Sequence, residues 1–202
     1  MSFAKGVEED PATVEQLESI EDPAERLEAA GSIAADAYAA TMEAKDYRNY
    51  ALAVLHLQRE WQKPPNAESA PKAPCYRLGQ MDRWTFDRVM DNMPDYVGLP
   101  PEKVNWDELP ADDLLRFYRH LLDLTDEEIV EIARSKVEEY RKQTAVWRAA
   151  GRIRDEVALE LMNGVHGAAW QNADVARAGK MKTPYVSDLR TGKKQVGKKR
   201  VA

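Results

Sequence analysis

A chain of 202 residues has room for one domain or two small ones, each with its own core. Charged residues make up 32% of it, Gly is scarce, and Ala, Glu, Leu and Arg are abundant, a composition that favours helix. No run of about 18 apolar residues is present, the lone Cys75 excludes an internal disulfide and a multi-cysteine zinc site, and the net charge of −6 argues by itself against nucleic acid.

The distribution of charge reverses that last inference. Residues 152–202 carry eleven Lys or Arg against five acidic residues, a net of +6, which leaves −12 on residues 1–151. A basic end on an acidic body is the asymmetry expected where one end meets phosphate. The acidic N-terminus, MSFAKGVEEDPATVEQ, lacks the apolar core of a secretory signal. With the single cysteine, this favours a cytoplasmic setting and no membrane association.

In chain order, residues 1–21 read as a flexible acidic arm, with one short helix conceivable around Thr13 to Ile20. Asp22-Pro23-Ala24-Glu25 is a helix start, with Asp22 as the N-cap. The helix it opens carries Leu27, Ala30, Ile33, Ala34, Ala37 and Tyr38 at helical spacing. A second helical segment from Tyr47 to Trp61 follows with no Pro or Gly between them, so the two can be continuous. Residues 63–74, KPPNAESAPKAP, form a Pro-rich break. Four prolines prevent a long element over residues 93–110, where Tyr96, Val97 and Trp106 are placed to pin the loop on a core. A short amphipathic helix over residues 112–122 follows. Thr125 and Glu128 then form a capping box that opens a long helix with Ile129, Ala133, Val137 and Tyr140 inward. Gly151 is a candidate interruption before the apolar side of residues 152–162.

Near the C-terminus, Asn172 to Ala178 and Thr183 to Arg190 fit two short helices joined by a turn at Gly179-Lys180-Met181. Thr183 is the expected N-cap and Pro184 the first helical residue, while Gly192 is placed as a stop. Val175, Ala176, Met181, Val186 and Leu189 point inward. This stretch resembles the helix-turn-helix of the Cro and lambda-repressor (XRE-like) type over about twenty residues, with one departure: Lys180 stands where that family usually has Gly. One hundred residues earlier, Gly79-Gln80-Met81, Phe86, Val89 and Asn92 share the spacing, as a degenerate second copy would; its outer face mixes Asp82, Arg83, Asp87, Arg88 and Asp91, is near neutral, and is expected to be structural or protein-facing rather than to bind phosphate.

The expected fold is therefore all-α: a helical domain over 22–122, a long helix with a helix-turn-helix domain over 123–192, and a basic tail over 193–202. The resemblance implies that the helix over residues 183–190 enters the major groove of double-stranded DNA. Its DNA-contacting residues would be Lys182, Thr183, Pro184, Ser187 and Asp188, with Asn172, Arg190, Lys193, Lys194, Lys198, Lys199 and Arg200 on the phosphates. It also implies a homodimer or a protein partner. A bacterial, phage or plasmid transcriptional regulator fits best. A recombination or packaging accessory protein that docks its partner through the acidic body is the alternative. No nucleotide-binding or nucleophile motif is present, and His56, His120 and His166 lack metal-ligand spacing. Asp112-Asp113 and Glu127-Glu128 sit at helix starts, where the helix dipole accounts for them. No enzyme activity, metal or cofactor is expected.

Overall fold

The computed structural model describes residues 7–64 and 66–194. It is 72% helical, with eight α-helices and no strand among the described residues. In chain order these are α1 (Pro11–Glu18), α2 (Pro23–Trp61), α3 (Ala73–Leu78), α4 (Arg83–Asp91), α5 (Asp113–Leu122), α6 (Asp126–Met162), α7 (Asn172–Ala178) and α8 (Thr183–Arg190). Three 3-10 turns, Asp95–Gly98, Pro101–Lys103 and Trp106–Glu108, fill the Pro-rich segment between α4 and α5.

The helix starts follow local chemistry. Asp22 Oδ1 accepts from the backbone N–H groups of Ala24 and Glu25, at 2.7 and 2.9 Å, and opens α2. Glu128 reaches back to the Thr125 N–H at 2.9 Å while the Thr125 hydroxyl accepts from the Glu128 N–H at 3.3 Å, which completes the capping box of α6. Both long helices are continuous, α2 over 39 residues and α6 over 37, and Gly151 does not interrupt α6. Of the two readings of the N-terminal segment, a short helix is formed, over Pro11–Glu18: Asp10 caps α1, accepting from the Thr13 N–H at 2.8 Å, and Leu17 is fully buried. Val14 and Ile20 pack on the same core, and Glu9 pairs with Arg152 at 2.8 Å.

The contacts divide the chain into two compact units, and these are interleaved rather than sequential. One unit comprises residues 42–141, the other residues 7–41 together with residues 142–194. The division expected at 122/123 is absent because α2 and α6 each change core part-way along.

In the first unit, Leu52, Val54 and Leu55 of α2 pack with Cys75, Phe86, Val97, Leu115, Tyr118, Leu121, Ile129 and Ala133. Tyr118 is fully buried at its centre, with Tyr96, Trp106 and Tyr50 rings at 5.6, 6.0 and 6.2 Å. Burial pushes its hydroxyl up to about 12, and pushes the Cys75 thiol up to about 11. In the second unit, Leu17 of α1 and Leu27, Ala30 and Ala34 of α2 pack with Ala150, Ile153, Val157, Ala158 and Leu161 of α6. The same core takes in Val175 and Ala176 of α7 and Val186 of α8.

Small residues set the closest approach in this second core. A Cβ on Gly31 of α2 would lie 2.6 Å from the backbone carbonyl carbon of Gly179. By contrast, a Cβ on Gly151 would meet nothing within 4 Å. Gly31→Ala is therefore expected to destabilise the protein by about 1–2 kcal/mol, backbone overpacking outweighing the gain in helix propensity. Gly151→Ala is expected to stabilise it by up to about 1 kcal/mol. Urea unfolding followed by circular dichroism reads both, and a gain in stability for Gly31→Ala would contradict the close packing.

Candidate nucleic-acid interface

The α7–α8 pair is held by its own turn. Met181 N–H donates to the Ala176 carbonyl at 2.8 Å, and Lys180 N–H donates to the Arg177 carbonyl at 3.3 Å. This is a Schellman ending, and it puts the residue after the helix cap in the left-handed region. That residue is Lys180, with φ of 49°. Gly179 has φ of −81° and is needed for a different reason. A Cβ there would lie 2.6 Å from Met181 Cε, 3.1 Å from Leu27 Cδ1 and 3.2 Å from the Val175 carbonyl oxygen. Glycine thus serves close approach at 179, and Lys180 bears the unusual backbone angle, at a cost of roughly 1 kcal/mol.

The apolar side chains of the pair face the core: Val175, Ala176, Val186 and Leu189 are all buried. The start of α8 differs by one residue from expectation. Lys182, not Thr183, is the N-cap, and it makes no side-chain cap hydrogen bond; Thr183 and Pro184 are the first two helical residues. The Thr183 hydroxyl is therefore not used as the cap.

Lys182, Thr183, Pro184, Ser187 and Arg190 are exposed, and Asp188 and Asn172 are half-buried. Arg190 Nη1 donates to Asn172 Oδ1 at 3.1 Å, which ties the end of α8 to the start of α7. Gly192, with φ of 69°, turns the chain back, so that the Lys194 N–H donates to the Asp188 carbonyl at 3.1 Å. Lys193 and Lys194 are both exposed there. Lys198, Lys199 and Arg200 lie outside the described residues.

Sequence reasoning missed the clamp behind α8. Tyr185 donates its hydroxyl to Asp155 of α6, and Asp155 pairs with Arg154 at 2.8 Å. Lys194 Nζ sits 3.8 Å from the centre of the Tyr185 ring, and the Arg154 guanidinium carbon sits 5.5 Å from it. Burial and the Asp155 carboxylate push the Tyr185 hydroxyl up to about 12. Thirty residues separate the partners, so no local periodicity announced the contact. Exposed Arg177 and Lys180 were likewise overlooked as site residues. Arg177 pairs with Asp174 at 3.5 Å, and Lys180 Nζ donates to the Ser32 hydroxyl at 3.1 Å. Beside α7 lies an open groove of about 800 Å³, lined by Trp170, Glu28, Ser32, Arg177 and Lys180. Among the described residues no three His, Cys, Asp or Glu side chains are grouped to hold a metal ion, and no helix is long and apolar enough to cross a membrane.

No protein-family model matches the chain, and no curated protein or solved structure matches it significantly.

The clamp makes a testable statement about pH. The folded Tyr185 hydroxyl is harder to ionise than the unfolded one, so its contribution is fully present below pH 10 and is lost as pH rises through about 12. Tyr185→Phe is expected to lose about 1–2 kcal/mol of stability at neutral pH. It is also expected to show a shallower loss between pH 10 and 12 than the parent chain, by urea unfolding at each pH. An unchanged alkaline profile would remove Tyr185 from the account.

Proposed function

We propose that this chain binds double-stranded DNA through α7 and α8 in the manner of a helix-turn-helix regulator, with α8 entering the major groove. One observation supports this above the rest. The N-terminal half of α8 turns Lys182, Thr183, Pro184 and Ser187 outward while its apolar side is fully committed to the core. Cations flank that surface: Arg190, Lys193 and Lys194 at its far end, Arg177 and Lys180 on the α7 side.

Each residue then has a role. Lys182 reaches guanine acceptors or a phosphate, and Thr183, released from capping, contacts a base edge or a thymine methyl. Ser187 lies one turn further along. Asp188 accepts only from a base amino group and repels phosphate. Pro184 contributes shape rather than hydrogen bonds, so direct base readout is sparse. Arg190, Lys193 and Lys194 hold phosphates, and Asn172 does so from the start of α7. The Tyr185–Asp155–Arg154 contact keeps α8 in one orientation, since recognition requires a rigid support. A transcriptional regulator of bacterial, phage or plasmid type is the role that best fits such a site.

Fluorescence anisotropy with duplex DNA across a salt series tests this reading. The full chain is expected to bind with a log–log salt slope of roughly −4 to −5, from about five phosphate contacts. A Lys182→Glu, Lys194→Glu variant is expected to bind at least about tenfold more weakly, its slope reduced by about 2. Absence of binding by the full chain at low salt would sink the proposal. Truncation before α7 is a poor substitute, because it strips Val175 and Val186 from the second core.

A further inference from the structure

The helix pair α3–α4 reproduces α7–α8 in backbone and burial. Gly79 N–H donates to the Cys75 carbonyl at 2.9 Å, Gln80 N–H to the Arg77 carbonyl at 3.1 Å, and Met81 N–H to the Tyr76 carbonyl at 3.0 Å. The same three bonds, from Gly179, Lys180 and Met181, form the later turn. Gln80 has φ of 51° where Lys180 has 49°. A Cβ on Gly79 would strike Met81 Cε and a leucine of α2, Leu52, as one on Gly179 would meet Met181 Cε and Leu27 of α2. From Arg77 to Phe86 and from Arg177 to Val186, the two stretches agree at every position in being buried, half-buried or exposed.

The correspondence extends to whole halves of the chain. A short helix, a long helix and a pair of short helices occur twice, with lengths 8, 39, 6 and 9 in α1–α4 and 10, 37, 7 and 8 in α5–α8. Buried Ala30, Ala34 and Ala37 have the spacing of buried Ala133, Val137 and Tyr140. Each compact unit takes the short helix and the first part of the long helix from one half, and the rest from the other half. That is the exchange pattern of a domain-swapped dimer, carried within a single chain.

The outward side of the earlier pair is not that of an idle scaffold. Arg77, Arg83 and Arg88 are exposed, and Trp84 is 65% exposed with the Arg88 guanidinium carbon 4.8 Å from its ring centre. A large aromatic held in water beside cations is the kind of surface that meets a partner. Three acids lie along the same helix and keep their charge: Asp91 is exposed, and the other two are held locally. Asp82 accepts from the Thr85 N–H at 2.6 Å, and Asp87 pairs with Lys72 at 2.6 Å and Arg83 at 3.7 Å.

We infer that α3 and α4 form a second double-stranded-DNA contact, made by Arg77, Arg83, Trp84 and Arg88. This rests on the reading of α7–α8 as a DNA contact. α4 presents Arg83, Trp84 and Arg88 where α8 presents Thr183, Pro184 and Asp188, so the two contacts differ in chemistry.

The test uses full-length protein with a duplex of about 30 base pairs. Anisotropy over a salt series compares the parent with Arg83→Glu, Arg88→Glu, with Trp84→Ala and with Lys182→Glu, Lys194→Glu. Circular dichroism melts serve as the folding control. Expected are at least about a threefold loss for Trp84→Ala and at least about a tenfold loss with a slope reduced by about 2 for the Arg83/Arg88 variant. If that variant and Trp84→Ala bind as the parent does while the Lys182/Lys194 variant fails, the second contact is excluded and the first stands. Loss in the Arg83/Arg88 variant alone would support the second contact and remove the first, and no binding by the parent removes both.

Discussion

Val175 and Val186 are fully buried because Leu17, Leu27 and Ala30 cover them, from the opposite end of the chain. That covering is the constraint on which the second unit depends. Neither the α7–α8 pair nor the segment before it has enough apolar surface to close a core alone, as expected for pieces this small. The N-terminal residues are therefore structural components of the candidate interface. Pairings so distant in sequence are closed late and at an entropic cost, which favours cooperative rather than modular folding of this unit.

The turn chemistry shows how the same backbone is built twice with different side chains. In both pairs glycine precedes the left-handed residue instead of occupying it. The spatial reason is plain: at 79 and 179 any side chain would collide with Leu52 or Leu27 and with the following methionine. The left-handed residue itself points outward and is free to be Gln80 or Lys180. The glycines at 79 and 179 and the methionines at 81 and 181 are shared, whereas buried Cys75 and Phe86 stand against buried Val175 and Val186, and the exposed positions differ as well. Chemistry at the surface can therefore differ between the two pairs without disturbing either core.

The cations of the candidate interface are not equally available. Arg190 is tied to Asn172, Arg177 to Asp174 and Lys180 to Ser32, while Lys194 lies over the Tyr185 ring. These are exposed or half-exposed contacts of modest strength, so they orient side chains more than they neutralise them. A ligand phosphate competes with them easily. The ring of Tyr185, fastened through Asp155 to α6, is a fixed support for Lys194, with Arg154 also beside it.

Much of this was legible from local patterns. Asp22, Asp112 and the Thr125–Glu128 box announce helix starts because capping needs only neighbouring residues. The inward positions of α7 and α8 follow from helical spacing, and the all-α class from composition and periodicity. The one-residue shift that makes Lys182 the N-cap was not legible, since it depends on what the segment packs against. Nor was the interleaving of the two units, since nothing in the spacing along α2 or α6 says where a helix leaves one core and enters another. The sequence by itself determined the helices, their caps and their apolar faces, because those depend on interactions between residues a few positions apart. Only the tertiary structure decided which faces meet, how Tyr185 is anchored and that each core draws on both halves of the chain. Those are long-range packing choices among apolar faces of similar pattern, and close approach at Gly31, Gly79 and Gly179 selects between them.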